Sequence, residues 1–133
     1  MTAIAIDFGT SNTVVAIQDP DRKPQTLHFE GLSRRIQTPR GAVSVIPSLA
    51  VVKDAETLVF GETVRSQRLA FAMPERSFQS FKRDLAADFQ PPPRQLDGQL
   101  YSAEAISEAF LTQVWQQISN LEIEPRHLVF TVP

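Results

Sequence analysis

Near the start of the chain, Asp7, Gly9, Thr10, Ser11, Asn12 and Thr13 have the types and the spacing to hold a phosphate group. Gly9 can take φ > 0 and lets backbone N–H groups approach an anion with no side chain in the way. The hydroxyls of Thr10, Ser11 and Thr13 can donate to phosphate oxygens. Asp7 stands at the end of the preceding apolar run, where a carboxylate facing a phosphate is repelled unless a divalent cation lies between them. Its place beside such a turn points to Mg²⁺, held directly or through its waters. The stretch Asp-Phe-Gly-Thr-Ser-Asn is also ordinary turn chemistry between two strands, so residue types alone leave both readings open.

The elements that position this turn are legible as apolar runs. Ile4-Ala5-Ile6 and Val14-Val15-Ala16-Ile17 read as two strands covered on both faces, because they carry few charges and little alternation. A charged turn over 18–24 leads to a third strand over 25–29, completing a meander. From Glu30 to Val45, Gly31, Pro39 and Gly41 break any period, and Arg34, Arg35 and Arg40 read as part of a solvated loop. Strands are expected over 46–52 and 58–60, joined as a hairpin. Helices are expected over 62–72, ended by Pro74, and over 76–88, where Phe78, Phe81, Leu85 and Phe89 recur at helical intervals.

Pro91-Pro92-Pro93 is a stiff spacer. Asp97-Gly98 marks a hairpin over 94–101. Ser102 is a good N-cap for a helix to about Leu121, with Ile106, Phe110, Val114 and Ile118 at i,i+4 spacing and Leu111 and Trp115 widening the stripe. A last strand over 127–132 is apolar enough to be central in a parallel sheet, and the helix before it makes a crossover onto the first strands.

Composition excludes several classes of function. The 133 residues carry a net charge of −2 and a pI near 5.6, which gives no electrostatic footprint for nucleic acid. With no cysteine, and with His28 and His127 far apart, neither a disulfide framework nor a local zinc motif is available. No apolar stretch approaches the ~20 residues needed to cross a bilayer, so a cytoplasmic protein with no membrane association is expected. Asp7-Phe8-Gly9 spells the metal-binding triplet of protein kinases. That motif needs a glycine-rich loop, a lysine strand and a catalytic loop upstream, and only six residues precede it. No Walker A loop, dinucleotide fingerprint, nucleophile elbow or His-Glu-x-x-His motif occurs.

The run Ile6-Asp7-Phe8-Gly9-Thr10-Ser11-Asn12-Thr13-Val14-Val15-Ala16 resembles the first phosphate motif of the Hsp70 chaperones, within the actin, Hsp70 and sugar kinase superfamily. Three later stretches match in order: Ile46-Pro47-Ser48-Leu49, Phe81-Lys82-Arg83-Asp84-Leu85 and Val129-Phe130-Thr131-Val132-Pro133. The resemblance implies an α/β chain with the ribonuclease-H-like actin/Hsp70 ATPase fold. It implies the N-terminal part of a nucleotide-binding domain, with core sheet in residues 1–30 and 120–133 and an inserted α+β subdomain over 31–119.

It further implies ATP and ADP as ligands with Mg²⁺ at Asp7, and phosphate contacts from Gly9, Thr10, Ser11 and Asn12. Lys82 would face the γ-phosphate, where a compact ammonium suits a transferring phosphoryl group. Pro133 matches the family's switch proline. The intact protein would bind and hydrolyse ATP to control binding of unfolded polypeptides, with clients and co-chaperones engaged through parts outside these residues. The 31–45 segment is longer than the family's connection, so no role carries over to it. Three alternatives stand beside this one: a small-molecule kinase of the superfamily, a filament-forming ATPase, and a non-enzymatic module that keeps the fold. The isolated fragment is expected to be inactive and to self-associate.

Overall fold

The computed structural model describes residues 2–131, which form a mixed α/β structure with three sheets and few helices. Strands β1 (Ala3–Phe8) and β2 (Asn12–Gln18) pair antiparallel from Ala3↔Gln18 to Phe8↔Thr13. Strand β3 is only Gln25–Thr26, shorter than the 25–29 expected, and pairs with β2 at Ala16 and Ile17. The register of β1 turns Ile4, Ile6 and Phe8 inward, leaves Ala3 and Ala5 half-buried, and exposes Asp7. On β1 one face is therefore fully covered and the other only partly, where the sequence suggested two covered faces. Alanine is the reason: it reads as apolar in a pattern yet is small enough to stand half in water.

The segment expected to be an irregular loop is a hairpin. β4 (Arg34–Thr38) pairs with β5 (Gly41–Pro47) from Arg34↔Val45 to Thr38↔Gly41. Pro39 and Gly41, which looked like breakers of a strand, build its tip: Gly41 has φ +117°, and Thr38 Oγ1 donates to the Gly41 carbonyl at 2.7 Å. Strand β5 joins β2 through Asn12↔Pro47 and Thr13↔Ile46, and β11 (His127–Thr131) runs parallel to β1, so the sheet order is β11-β1-β2-β5-β4. The main sheet thus draws in residues 34–47 of the segment that the sequence assigned to an insertion. Strand β11 ends this path instead of lying centrally, with Leu128, Val129 and Phe130 each about half exposed among the described residues.

The strand expected over 46–52 is interrupted at Ser48, and β6 (Leu49–Val52) belongs to a second sheet with β7 (Leu58–Phe60) and β8 (Ser77–Gln79). The helix expected over 62–72 is split into α1 (Glu62–Ser66) and α2 (Leu69–Ala72) by Arg68 in the left-handed region, φ +53°. A 3₁₀ turn at Pro74–Arg76 follows. The helix expected over 76–88 is also corrected: Phe78 lies on β8, Ser80 turns the chain at φ +58°, and only α3 (Phe81–Leu85) is helical. Phe78 and Phe81 are buried from two different elements, whereas Phe89 is 94% exposed. The three-residue spacing of two buried phenylalanines imitates a helical stripe when a strand hands over to a helix within it.

The Asp97-Gly98 hairpin forms as expected between β9 (Arg94–Leu96) and β10 (Gln99–Tyr101), with φ of +51° and +81° at its tip. Ser102 caps α4 (Ala103–Ser119) by accepting from the Ala105 amide at 3.1 Å. Ile106, Phe110, Val114 and Ile118 are fully buried, and Trp115, expected in the stripe, is instead nearly half exposed. Phe110 is the junction of the core: its ring lies 6.0 Å from Phe8 of β1, 5.4 Å from Phe81 of α3 and 5.9 Å from Phe60 of β7. Truncating it opens a cavity where three elements meet. Phe110→Ala is expected to lower stability by about 3–5 kcal/mol in urea unfolding; a loss under about 1 kcal/mol would show that these elements are held together elsewhere.

Candidate functional site

The turn Gly9–Ser11 joins β1 to β2, and its shape is set by close approach. A Cβ on Gly9 would fall 2.1 Å from the Asn12 carbonyl oxygen, so no other residue fits. The backbone of Gly9 is not left-handed, which corrects the reason for the glycine: the space is needed, and positive φ is not.

Ser48 holds the turn from the other side. Its amide donates to the Ser11 carbonyl at 3.0 Å, its hydroxyl donates to the Gly9 carbonyl at 2.9 Å, and its Oγ lies 3.0 Å from Thr13 Oγ1. Thr13 is fully buried and bonded to Ser48, so it is not available to phosphate as the residue types suggested. This clamp also explains the break between β5 and β6, since Ser48 spends its groups on the turn.

Thr10, Ser11 and Asn12 are exposed and line one cleft of about 240 Å³ with Arg34, Ser48, Arg65, Gln79 and Ser80. Arg65 is held by a two-pronged ion pair to Glu62, at 2.7 and 2.6 Å. The hydrogen bonds from Arg65, helped by its charge and that of Arg34, keep the Glu62 carboxyl below the usual carboxylate range against the penalty of partial burial. Two guanidiniums therefore stand against one carboxylate, leaving the neighbourhood of the turn positive.

Asp7 and Lys82 approach the turn but do not line that cleft. The exposed Asp7 carboxylate accepts a hydrogen bond from Thr131 Oγ1 of β11 at 2.9 Å. A single oriented carboxylate fits Mg²⁺, which keeps most of its waters and takes one or two carboxylates together with phosphate oxygens. Among the described residues no cluster of three or more metal-ligating side chains occurs.

Lys82 is buried. It follows Phe81 at the start of α3, and its Nζ donates to the Phe8 carbonyl, at the last residue of β1, from 5.5 Å off the Phe8 ring centroid. The fold brings this ammonium across 74 positions of sequence to the residue next to Gly9. One of its three N–H donors is engaged there, and among the described residues the other two have no hydrogen-bond partner. Pro133, the candidate switch proline, lies outside the described residues.

Of the groups gathered here, sequence reasoning missed Ser48, Arg34, Arg65, Gln79, Ser80 and Thr131. Ser48 and Thr131 sit in stretches already singled out, but their partners are the turn and Asp7, which only the folded chain reveals. No protein-family model matches the chain, and none of the curated proteins searched matches it.

Replacing Ser48 tests the clamp directly. Ser48→Ala removes two side-chain contacts and leaves buried Thr13 Oγ1 unpaired, so a loss of about 1–3 kcal/mol is expected in denaturant unfolding. Unchanged stability would mean that the turn keeps its shape without the hydroxyl.

Proposed function

We propose that these residues are the N-terminal part of the nucleotide-binding domain of an Hsp70-like chaperone with the actin/Hsp70 ATPase fold. In this reading the intact protein works in the cytoplasm, binds and hydrolyses ATP with Mg²⁺, and uses the cycle to control binding of unfolded polypeptides. The observation that carries the proposal is the meeting of two separate motifs. Lys82, from the Phe-Lys-Arg stretch, delivers its ammonium to the carbonyl that precedes the glycine of the phosphate turn. Strand β11, from the third matching stretch, pairs with β1 and brings Thr131 to the Asp7 carboxylate. A kinase or filament reading shares the turn and the core sheet, so the Lys82 contact is what favours the Hsp70-like reading over it.

Each residue then has a distinct part. Gly9 lets the turn close on itself, and Ser48 fixes it before ligand arrives, so little reorganisation is needed on binding. Thr10, Ser11 and Asn12 offer hydroxyl and amide donors at its tip. Lys82 places a positive charge where the terminal phosphoryl group gains negative charge during transfer, and burial beside the Phe8 ring limits the screening of that charge. Asp7, oriented by Thr131, would hold Mg²⁺ directly or through its waters, and the ion would supply charge neutralisation for the phosphates.

Two mutants of the intact protein separate these parts. Lys82→Ala is expected to lower single-turnover hydrolysis by roughly 10²-fold or more while leaving ATP affinity largely intact, because it removes one preorganised electrostatic group. Asp7→Asn is expected to shift the Mg²⁺ midpoint of both binding and hydrolysis upward. Hydrolysis at the parent rate in Lys82→Ala would remove that residue from the mechanism, and an unmoved Mg²⁺ midpoint would leave Asp7 as turn chemistry.

The isolated residues 1–133 supply one side of a phosphate cradle and leave the apolar side chains of β11 half exposed. They are expected to bind ATP weakly and to take up a hydrophobic dye or self-associate. Micromolar ATP affinity in calorimetry, or a strictly monomeric fragment that ignores the dye, would contradict this.

A further inference from the structure

Strand β4 has no part in the readings above, yet its register carries an arginine toward the phosphate turn. Arg34 pairs with Val45, and the two residues that follow Val45 pair with Thr13 and Asn12 of β2. Arg34 thus lies two strands from the end of the turn, roughly 10 Å across the sheet. An extended arginine side chain covers most of that distance, and Arg34 lines the same cleft as Thr10, Ser11 and Asn12.

The groups in this cleft differ from their neighbours in one respect. Arg65 is committed to Glu62, and the Ser48 hydroxyl to Gly9 and Thr13. Arg34 makes no ion pair among the described residues, although its charge is felt by the Glu62 carboxylate, and the cleft is also lined by Ser11 and Ser80. A guanidinium presents five N–H donors in a planar fork that matches two phosphate oxygens. At about 240 Å³ the cleft exceeds several times the ~30 Å³ share of one water, enough for a phosphate group with bridging waters.

We propose that this cleft is a phosphate pocket in which Arg34 provides the charge and the hydroxyls of Ser11 and Ser80 complete the donor set. The hairpin expected to be a solvated loop then belongs to the polyphosphate site. This inference rests on the nucleotide reading for the identity of the ligand and on the geometry of the cleft for the pocket itself. Its specificity follows from charge: ATP and ADP reach the arginine with more negative charge than AMP does.

Calorimetry on the intact protein tests it with Mg-ATP, ADP, AMP and inorganic pyrophosphate, using Arg34→Ala and Arg34→Lys. Arg34 is exposed on its strand, so both variants are expected to unfold at the wild-type midpoint. Arg34→Ala should weaken Mg-ATP, ADP and pyrophosphate by roughly tenfold or more and leave AMP nearly unchanged, with partial recovery in Arg34→Lys. Wild-type affinity for Mg-ATP and ADP in Arg34→Ala overturns the pocket and leaves the nucleotide reading standing. An equal loss for AMP and ATP overturns it too, since the arginine would then act through the fold or the nucleoside. Arg34-dependent pyrophosphate binding by a protein that binds no ATP supports the pocket and overturns the nucleotide reading.

Discussion

Phe8 is held at both ends, and the candidate site depends on that. Its ring packs between Phe81 and Phe110, while its carbonyl accepts from Lys82 Nζ. Because Lys82 is the residue after Phe81, burying the Phe81 ring against Phe8 and Phe110 carries the ammonium to the end of β1. Core packing and charge placement are here one event. A buried ammonium is costly unless its donors are met, and a single carbonyl meets only one of three.

The turn itself is organised by exclusion and by a clamp. With Gly9 the chain passes close to the Asn12 carbonyl, and any side chain there would collide with backbone. Ser48 then gives up the continuity of its own strand to bond with Ser11, Gly9 and Thr13. The strand break redirects β6 into a second sheet, where β8 pairs with it and leads through Ser80 into α3. The same serine that shapes the turn therefore begins the path that returns Phe81 and Lys82 to it.

The cations of the chain stand in two states of commitment. Arg65 is tied to Glu62, and Arg76 is tied to Asp97 by a two-pronged bond at 2.7 and 2.8 Å that joins the β9–β10 hairpin to the 3₁₀ turn. The hydrogen bonds from Arg76, with its charge, lower the Asp97 pKa, so this tie persists above the ordinary carboxylate range and weakens as pH falls through the depressed value. Both partners lie near the surface, so screening keeps the contribution small. Lys82 and Arg34 are the cations near the turn that lack a carboxylate partner among the described residues.

The sequence by itself determined the β1–β2 hairpin, the Asp97-Gly98 turn, the Ser102 cap and the buried stripe of α4, because each is a local pattern whose period or turn chemistry is complete within a few residues. It also singled out Asp7, Gly9 and Lys82. Tertiary structure alone decided what those residues meet. Pro39 and Gly41 became the tip of a hairpin once β2 offered an edge for β5 to pair with, and the Phe78–Phe81 spacing was divided between a strand and a helix once β6 took up β8. Thr13 turned inward to Ser48, and Arg34 came to line one cleft with Thr10 and Ser11, once β5 had paired with both β4 and the distant β2. Such contacts depend on sheet register and on which face a neighbouring element covers, and neither is encoded in the spacing of residues along a single run.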